Sequence, residues 1–148
     1  MTTANQNSSN LREMAGWTAI GLGLKGLAAM LMRIGRKDPL MGQALHILDG
    51  IYRFENKDGK FYRYLVFENG KVKVPRDWAG PANFTFTLRE PAASYLRTKP
   101  EDILQIVIGN KIAQSGNTYF LFQFGFIMSL MERYFKMKKV NKTKPDIF

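Results

Sequence analysis

The hydrophobic period of this sequence changes twice, and each change is marked by turn residues. From Leu11 to Gly35 the positions Trp17, Gly21, Leu24, Ala28, Leu31 and Gly35 recur at spacings of four and three, the mark of one helical face, with Lys25, Ala29, Arg33 and Arg36 on the other side. "RKDPL" interrupts that helix, and "PLMGQALHIL" reads as a second one, ending at Asp49 and Gly50. The segments "IYRFE", "KFYRYLVFE" and "KVKVP" then turn aromatic and β-branched, and are separated by "NKDG" and "NG". Such dipeptides favour hairpin turns, so three consecutive antiparallel strands are expected. "NFTFTL" alternates cleanly and adds a fourth, half-buried strand with Phe84, Phe86 and Leu88 on one face. "EPAASYLR" and "KPEDILQIVIG" each place proline in a first helical turn. Within "IVIGNKIAQSGNTYFLFQF" the step Gly-Asn occurs twice: Gly109 is expected to close a helix, Lys111 to Ser115 to form a short strand, and Gly116 to turn the chain again. Asn117 then caps a helix in which Phe120, Phe124, Ile127, Met131 and Tyr134 share a face.

The chain of 148 residues, 45% hydrophobic, suits one domain with a substantial core. The expected organisation is a disordered segment over residues 1–10, a single domain over 11–137 and a basic tail over 138–148. The net charge is +10, and residues 133–148 hold six cations against Asp146. Lys136, Lys138, Lys139, Lys142 and Lys144 are candidates for transient contact with an anionic membrane surface, at about 1 kcal/mol each. Neither apolar segment reads as a membrane span: "MAGWTAIGLGLKGLAAMLMRIG" is cut by Lys25 and Arg33, and "TYFLFQFGFIMSLM" falls short of the ~20 residues required. The polar, uncharged beginning is a poor match to a signal peptide. With no cysteine, disulfides and thiolate chemistry are excluded, and a reducing, cytoplasmic location is expected.

Chemistry-bearing constellations are sparse. The single histidine, His46, sits in an apolar helical stretch with no nucleophile near it in sequence, and is given no role; no catalytic residue, metal site or cofactor is expected. "GLGLKG", Gly21 to Gly26, matches G-x-G-x-x-G, with Asp49 at a spacing that suits a ribose-binding acid. Dinucleotide binding is retained as a minor alternative, because that motif belongs between a buried strand and a helix and only "WTAI" precedes it. Nucleic acid is not expected, although Phe61, Tyr62, Tyr64 and Phe67 could stack bases and Arg53, Arg63, Lys71 and Lys73 could meet phosphates. The surplus is in large apolar groups, eleven phenylalanines and eight methionines, with a closing helix that is apolar nearly all round from Tyr119 to Met131. Such a helix must be covered on every side, by an apolar ligand or by a partner subunit. The rival to ligand binding is therefore a protein-protein interaction or dimerisation module, in which the same helices dock a partner or a second copy and the cavity is collapsed.

The order of elements, and above all "NFTFTLREPAASYLRTKPEDILQIVIGNKIAQSGN" from Asn83 to Asn117, resembles the sterol carrier protein lipid-binding domain, the sterol-transfer family typified by sterol carrier protein type two. The sequence departs from that pattern at Asn110, where the family runs glycine straight into a basic residue, and in its long glycine-rich amino-terminal helix. The resemblance implies an α+β fold, a five-stranded, mainly antiparallel sheet with helices covering one face, enclosing an apolar tunnel for fatty acyl chains, sterols or similar lipids. By position it implies a lining of Phe84, Phe86 and Leu88, of Ile103, Ile106 and Val107, and of Phe120, Phe124, Ile127, Met128 and Met131. It implies no catalysis.

Overall fold

The computed structural model describes residues 2–78, 80–97, 99, 102, 105–106 and 111–143. Helix α1 (Thr2–Lys37) comes first, and α2 (Pro39–Ile47) follows directly. Asp38 separates them in an extended conformation, its carboxylate accepting the Leu40 amide at 3.2 Å while Pro39 occupies the first helical position. Strands β1 (Gly50–Glu55), β2 (Tyr62–Glu68) and β3 (Lys71–Lys73) form the expected meander. Asn69 and Gly70 both take positive φ, 53° and 77°, which matches the twist of the tight turn between β2 and β3. Strand β4 (Phe84–Leu88) is followed by a 3₁₀ turn (Ala92–Tyr95), and further along the chain come β5 (Ile112–Gly116) and helix α3 (Thr118–Thr143).

The sheet order is β3-β2-β1-β4-β5, with β4 parallel to β1 and the other neighbours antiparallel. Asn83 decides where β4 docks: its side-chain oxygen accepts the Ile51 amide at 2.8 Å, and its own amide donates to the Ile51 carbonyl at 2.8 Å. The register then places Tyr52 beside Phe84 and Phe54 beside Phe86. Because side chains alternate, these four aromatics share the face covered by helices, and Arg53, Glu55, Thr85 and Thr87 share the other. Against the covered face lie Trp17, Leu24 and Leu31 of α1, Met41 and Leu45 of α2, and Phe124, Ile127, Met128 and Met131 of α3, all buried.

Two expectations change, a minor alternative loses its structural basis, and one apolar stretch is longer than it reads in sequence. Residues 2–10, expected to be disordered, are the opening turns of α1; they hold no glycine or proline, and extending a formed helix adds one hydrogen bond per residue fixed. "EPAASYLR" makes only a 3₁₀ turn, closed by the Ser94 amide on the Pro91 carbonyl at 2.9 Å. "GLGLKG" lies in the interior of α1 with no strand before it, which removes the strand-to-helix turn that a phosphate cradle needs. The stretch Asn7–Lys37 is long and apolar enough to cross a membrane by length and composition, although Trp17, Leu24 and Leu31 on one side of it are packed into the fold.

The second Gly-Asn step behaves as read. Gly116 has φ of 131°, and a Cβ there would stand 2.7 Å from the Asn83 carbonyl oxygen, so glycine is required on both counts. Asn117 caps α3 by accepting the Tyr119 amide at 3.0 Å. "TYFLFQF", whose composition also suits a strand, is helical. The first step, Gly109–Asn110, lies outside the described residues, as does most of the helix expected from "KPEDILQIVIG", of which Gln105 and Ile106 are described and helical.

Candidate functional site

Between α1 and the covered face of the sheet lies an apolar cavity of about 370 Å³. One wall is α1, through Ala19, Ile20, Gly23, Leu24 and Leu27. The sheet contributes Phe54, Leu88 and Ile112, and α3 contributes Phe124. Tyr95, Leu96 and Ile106 are the other described residues of the lining. The only hydroxyl in this set, that of Tyr95, is already engaged, donating to the Lys111 carbonyl at 2.7 Å and accepting the Glu90 amide at 3.1 Å. Its described residues therefore offer dispersion contacts and shelter from water, and among them there is no free polar anchor. A second, more polar recess shares Ile106 with it and is lined by Arg97, Asp102, Gln105 and Lys111.

The α1 wall is held by a compact contact at the 3₁₀ turn. A Cβ on Gly16 would come within 2.7 Å of the Ala92 side chain, so the absence of a side chain lets the two backbones meet. One turn earlier, the Glu13 carboxylate accepts the Trp17 indole N–H at 2.9 Å and faces the Ala92 amide at 3.4 Å. Lower in the fold the space is filled by aromatic packing. Phe86 lies 5.1 Å from Phe54 and 5.1 Å from Phe124, and Tyr52 is 5.3 Å from Phe124, centroid to centroid. Tyr52 donates to the Phe120 carbonyl at 2.8 Å and accepts from Gln123, which also donates to the Asp49 carbonyl at 2.8 Å. Burial pushes the Tyr52 phenol well above its ordinary range, outweighing the Gln123 hydrogen bond, so it stays protonated.

The structure brings Leu88, Ile106 and Phe124 to the cavity wall. Phe84, Phe86, Ile127, Met128 and Met131 are buried in the surrounding core, and Phe120 packs against that core from its edge. Ile103 and Val107 lie outside the described residues. Sequence reasoning did not single out the α1 wall or Phe54. Their signal was present: Ile20, Leu24 and Leu27 recur at four and three, and Phe54 follows Tyr52 on the same strand face. Of the lysines, Lys136, Lys138 and Lys139 are exposed on α3, Lys142 lies in its last turn, and Lys144 is outside the described residues.

Several of the groups considered for nucleic acid are engaged within the protein, while Lys71 and Lys73 are exposed. Phe67 and Tyr64 are buried. The Arg53 guanidinium pairs with Glu55 at 3.0 Å and lies 4.4 Å above the Tyr62 ring. Arg63 donates to the Tyr62 carbonyl at 2.7 Å and lies against α1 at Gly21. His46 is exposed on α2 and rests against Gly70. Among the described residues no three histidine, aspartate or glutamate side chains gather where they could hold a metal ion.

Comparison with known proteins places this arrangement. The model of the SCP-2 sterol transfer family matches residues 29–129. Among solved structures, a UbiJ-SCP2 ubiquinone synthesis protein is similar with a TM-score of 0.53 and 22% identity, over 74% of this chain and 95% of that one. The sterol carrier protein domain 2 of Helicoverpa armigera follows with a TM-score of 0.46 and 19% identity, over 72% of this chain and 86% of the other. The sec-alkylsulfatase Pisa1 from Pseudomonas sp. contains a similar part, at a TM-score of 0.41 and 16% identity, over 60% of this chain and 14% of the enzyme. No curated protein sequence matches the chain. The family match begins at residue 29, so the whole α1 wall of the cavity, Ala19 to Leu27, precedes it.

Proposed function

The chain belongs to the SCP-2 sterol transfer family, and from that premise we propose that it is a non-catalytic carrier that shelters the hydrocarbon part of a lipid, an acyl chain or a sterol-like skeleton, in the cavity beneath α1. The observation that carries this reading is the cavity's lining, whose described residues present carbon and one hydroxyl already hydrogen-bonded twice within the protein. Its volume of about 370 Å³ falls within the roughly 300–1,000 Å³ of ordinary ligand sites. Burying ten methylenes at ~0.8 kcal/mol each gives roughly 8 kcal/mol gross, from which immobilisation costs are subtracted, and exchangeable binding results. The polar end of an amphipathic guest would emerge beside Ile106, within reach of Arg97 and Lys111.

The working cycle follows from this chemistry: capture from a membrane, passage through water with the chain shielded, and release. The cations at the end of α3 raise encounter with anionic surfaces, and the cysteine-free chain suits the reducing cytoplasm. Titration with a fluorescent fatty acid, followed by displacement with unlabelled fatty acid or sterol, tests the reading. Saturable binding at one per chain, displaced competitively, is expected. A signal that neither saturates nor yields to competitors would contradict it.

A further inference from the structure

We infer that the outer face of α3 is a docking surface for an anionic lipid bilayer, the surface from which the proposed carrier takes its cargo; the inference rests on that carrier reading for its purpose and not for its test. The buried side of α3 is formed by Phe124, Ile127, Met128 and Met131. On the opposite side, Tyr119, Phe122 and Phe126 are 58%, 73% and 52% exposed, at spacings of three and four. The same stripe continues through Arg133, Met137 and Val140, giving a line of about 30 Å along the helix. Ser129, which lies in this line, donates its hydroxyl to the Gly125 carbonyl at 2.8 Å and so makes little polar demand on whatever covers it.

The chemistry of the stripe selects its occupant. Three exposed aromatic rings within three turns form a contiguous apolar patch, which a water-facing helix has no reason to keep. Arg133 stands within the apolar line, and Lys136 stands beside it, 73% exposed even while paired with Glu132 at 2.9 Å. A second copy would bring a net charge of +10 against +10, and a two-fold pairing would set the same cations against one another. A protein groove receiving the whole line would have to strip water from Arg133. An anionic interface satisfies both requirements: the rings and aliphatic groups sink to the acyl boundary, and the cations stay among the headgroups.

Flotation of the full chain with vesicles of phosphatidylcholine, alone or mixed with phosphatidylserine, tests this. The protein is expected to float with the mixed vesicles at least about tenfold more tightly than with phosphatidylcholine alone, and less so as salt rises. Joint replacement Phe122→Ser and Phe126→Ser should weaken that binding about tenfold or more. The pair Arg133→Glu and Lys136→Glu should abolish the preference for phosphatidylserine. Ile47→Ser, at an equally exposed apolar position on α2, should leave both unchanged. Fluorescent fatty acid affinity in vesicle-free solution should be the same for all four proteins, which separates docking from carriage. Equal flotation of the wild type and the double serine variant would overturn the inference. So would a wild type that binds the fatty acid but no vesicle, or a dimer that Phe122→Ser and Phe126→Ser render monomeric.

Discussion

Replacing Gly23 with leucine separates ligand binding from fold stability, because the two should move in opposite directions. Gly23 lies in the interior of α1 and lines the cavity, and an added Cβ meets no atom within 4 Å. A leucine there has four side-chain carbons, and if each claims about a water's ~30 Å³ share, together they occupy about a third of the 370 Å³. A guest chain then loses room for three or four methylenes, roughly 2–3 kcal/mol at ~0.8 kcal/mol each. That corresponds to about 30- to 150-fold weaker binding. The helix itself gains about 0.8 kcal/mol when glycine gives way to leucine, so thermal unfolding should move up. Gly23→Ala supplies the control, with a similar gain in stability and nearly unchanged binding. Titration with a fluorescent fatty acid and a thermal melt of each variant read both effects. A folded Gly23→Leu protein that binds as tightly as the wild type would refute the placement of the guest beneath α1.

Three further substitutions test the supports of the site. Tyr52→Phe removes the hydroxyl between Phe120 and Gln123 and should cost about 1 kcal/mol in denaturant unfolding. Because burial raises the folded-state pKa of Tyr52 above the ordinary 10.0, its contribution is fully present below pH 10.0 and is lost as pH climbs toward the folded value. Unfolding midpoints of the wild type should accordingly fall more steeply than those of Tyr52→Phe in alkaline solution; parallel curves would contradict the assignment. Glu13→Ala frees the Trp17 indole and the Ala92 amide, and should both lower stability by about 1 kcal/mol and speed ligand release in stopped-flow displacement. Asn117→Ala should cost about 1 kcal/mol by removing the cap on α3, with Asn117→Asp restoring it in the same unfolding assay.

Local punctuation carried most of the fold. Asn69–Gly70, Gly116 and Asn117 act through their own backbone or their nearest neighbours, so their roles can be read from a few adjacent letters. The alternation of Phe84, Phe86 and Leu88 likewise identified the buried face of β4. The parallel docking of β4 on β1 was less legible, because it depends on Asn83 meeting Ile51 across 32 positions of chain. Least legible was where the core ends and the cavity begins. Phe86 and Leu88 share a strand face and a period, yet Phe86 is wedged between Phe54 and Phe124 while Leu88 reaches the open space. That distinction is set by how side-chain volumes from four elements sum, which periodicity does not encode. The α1 wall is less legible for a related reason: the apolar helical face runs through Gly21, Leu24 and Ala28, whereas the cavity meets it at Leu24 alone and extends to one side, along Ile20, Gly23 and Leu27. The short 3₁₀ turn at Ala92 was a failure of length, since Pro91 can begin a helix without saying how far it continues.

Native mass spectrometry of the protein purified gently from cells bears most directly on carriage. The expected spectrum contains, beside the bare chain, a species heavier by one lipid, which collisional activation releases and which Gly23→Leu depletes. A lipid-free spectrum from protein that also leaves a fluorescent fatty acid unbound would contradict the account.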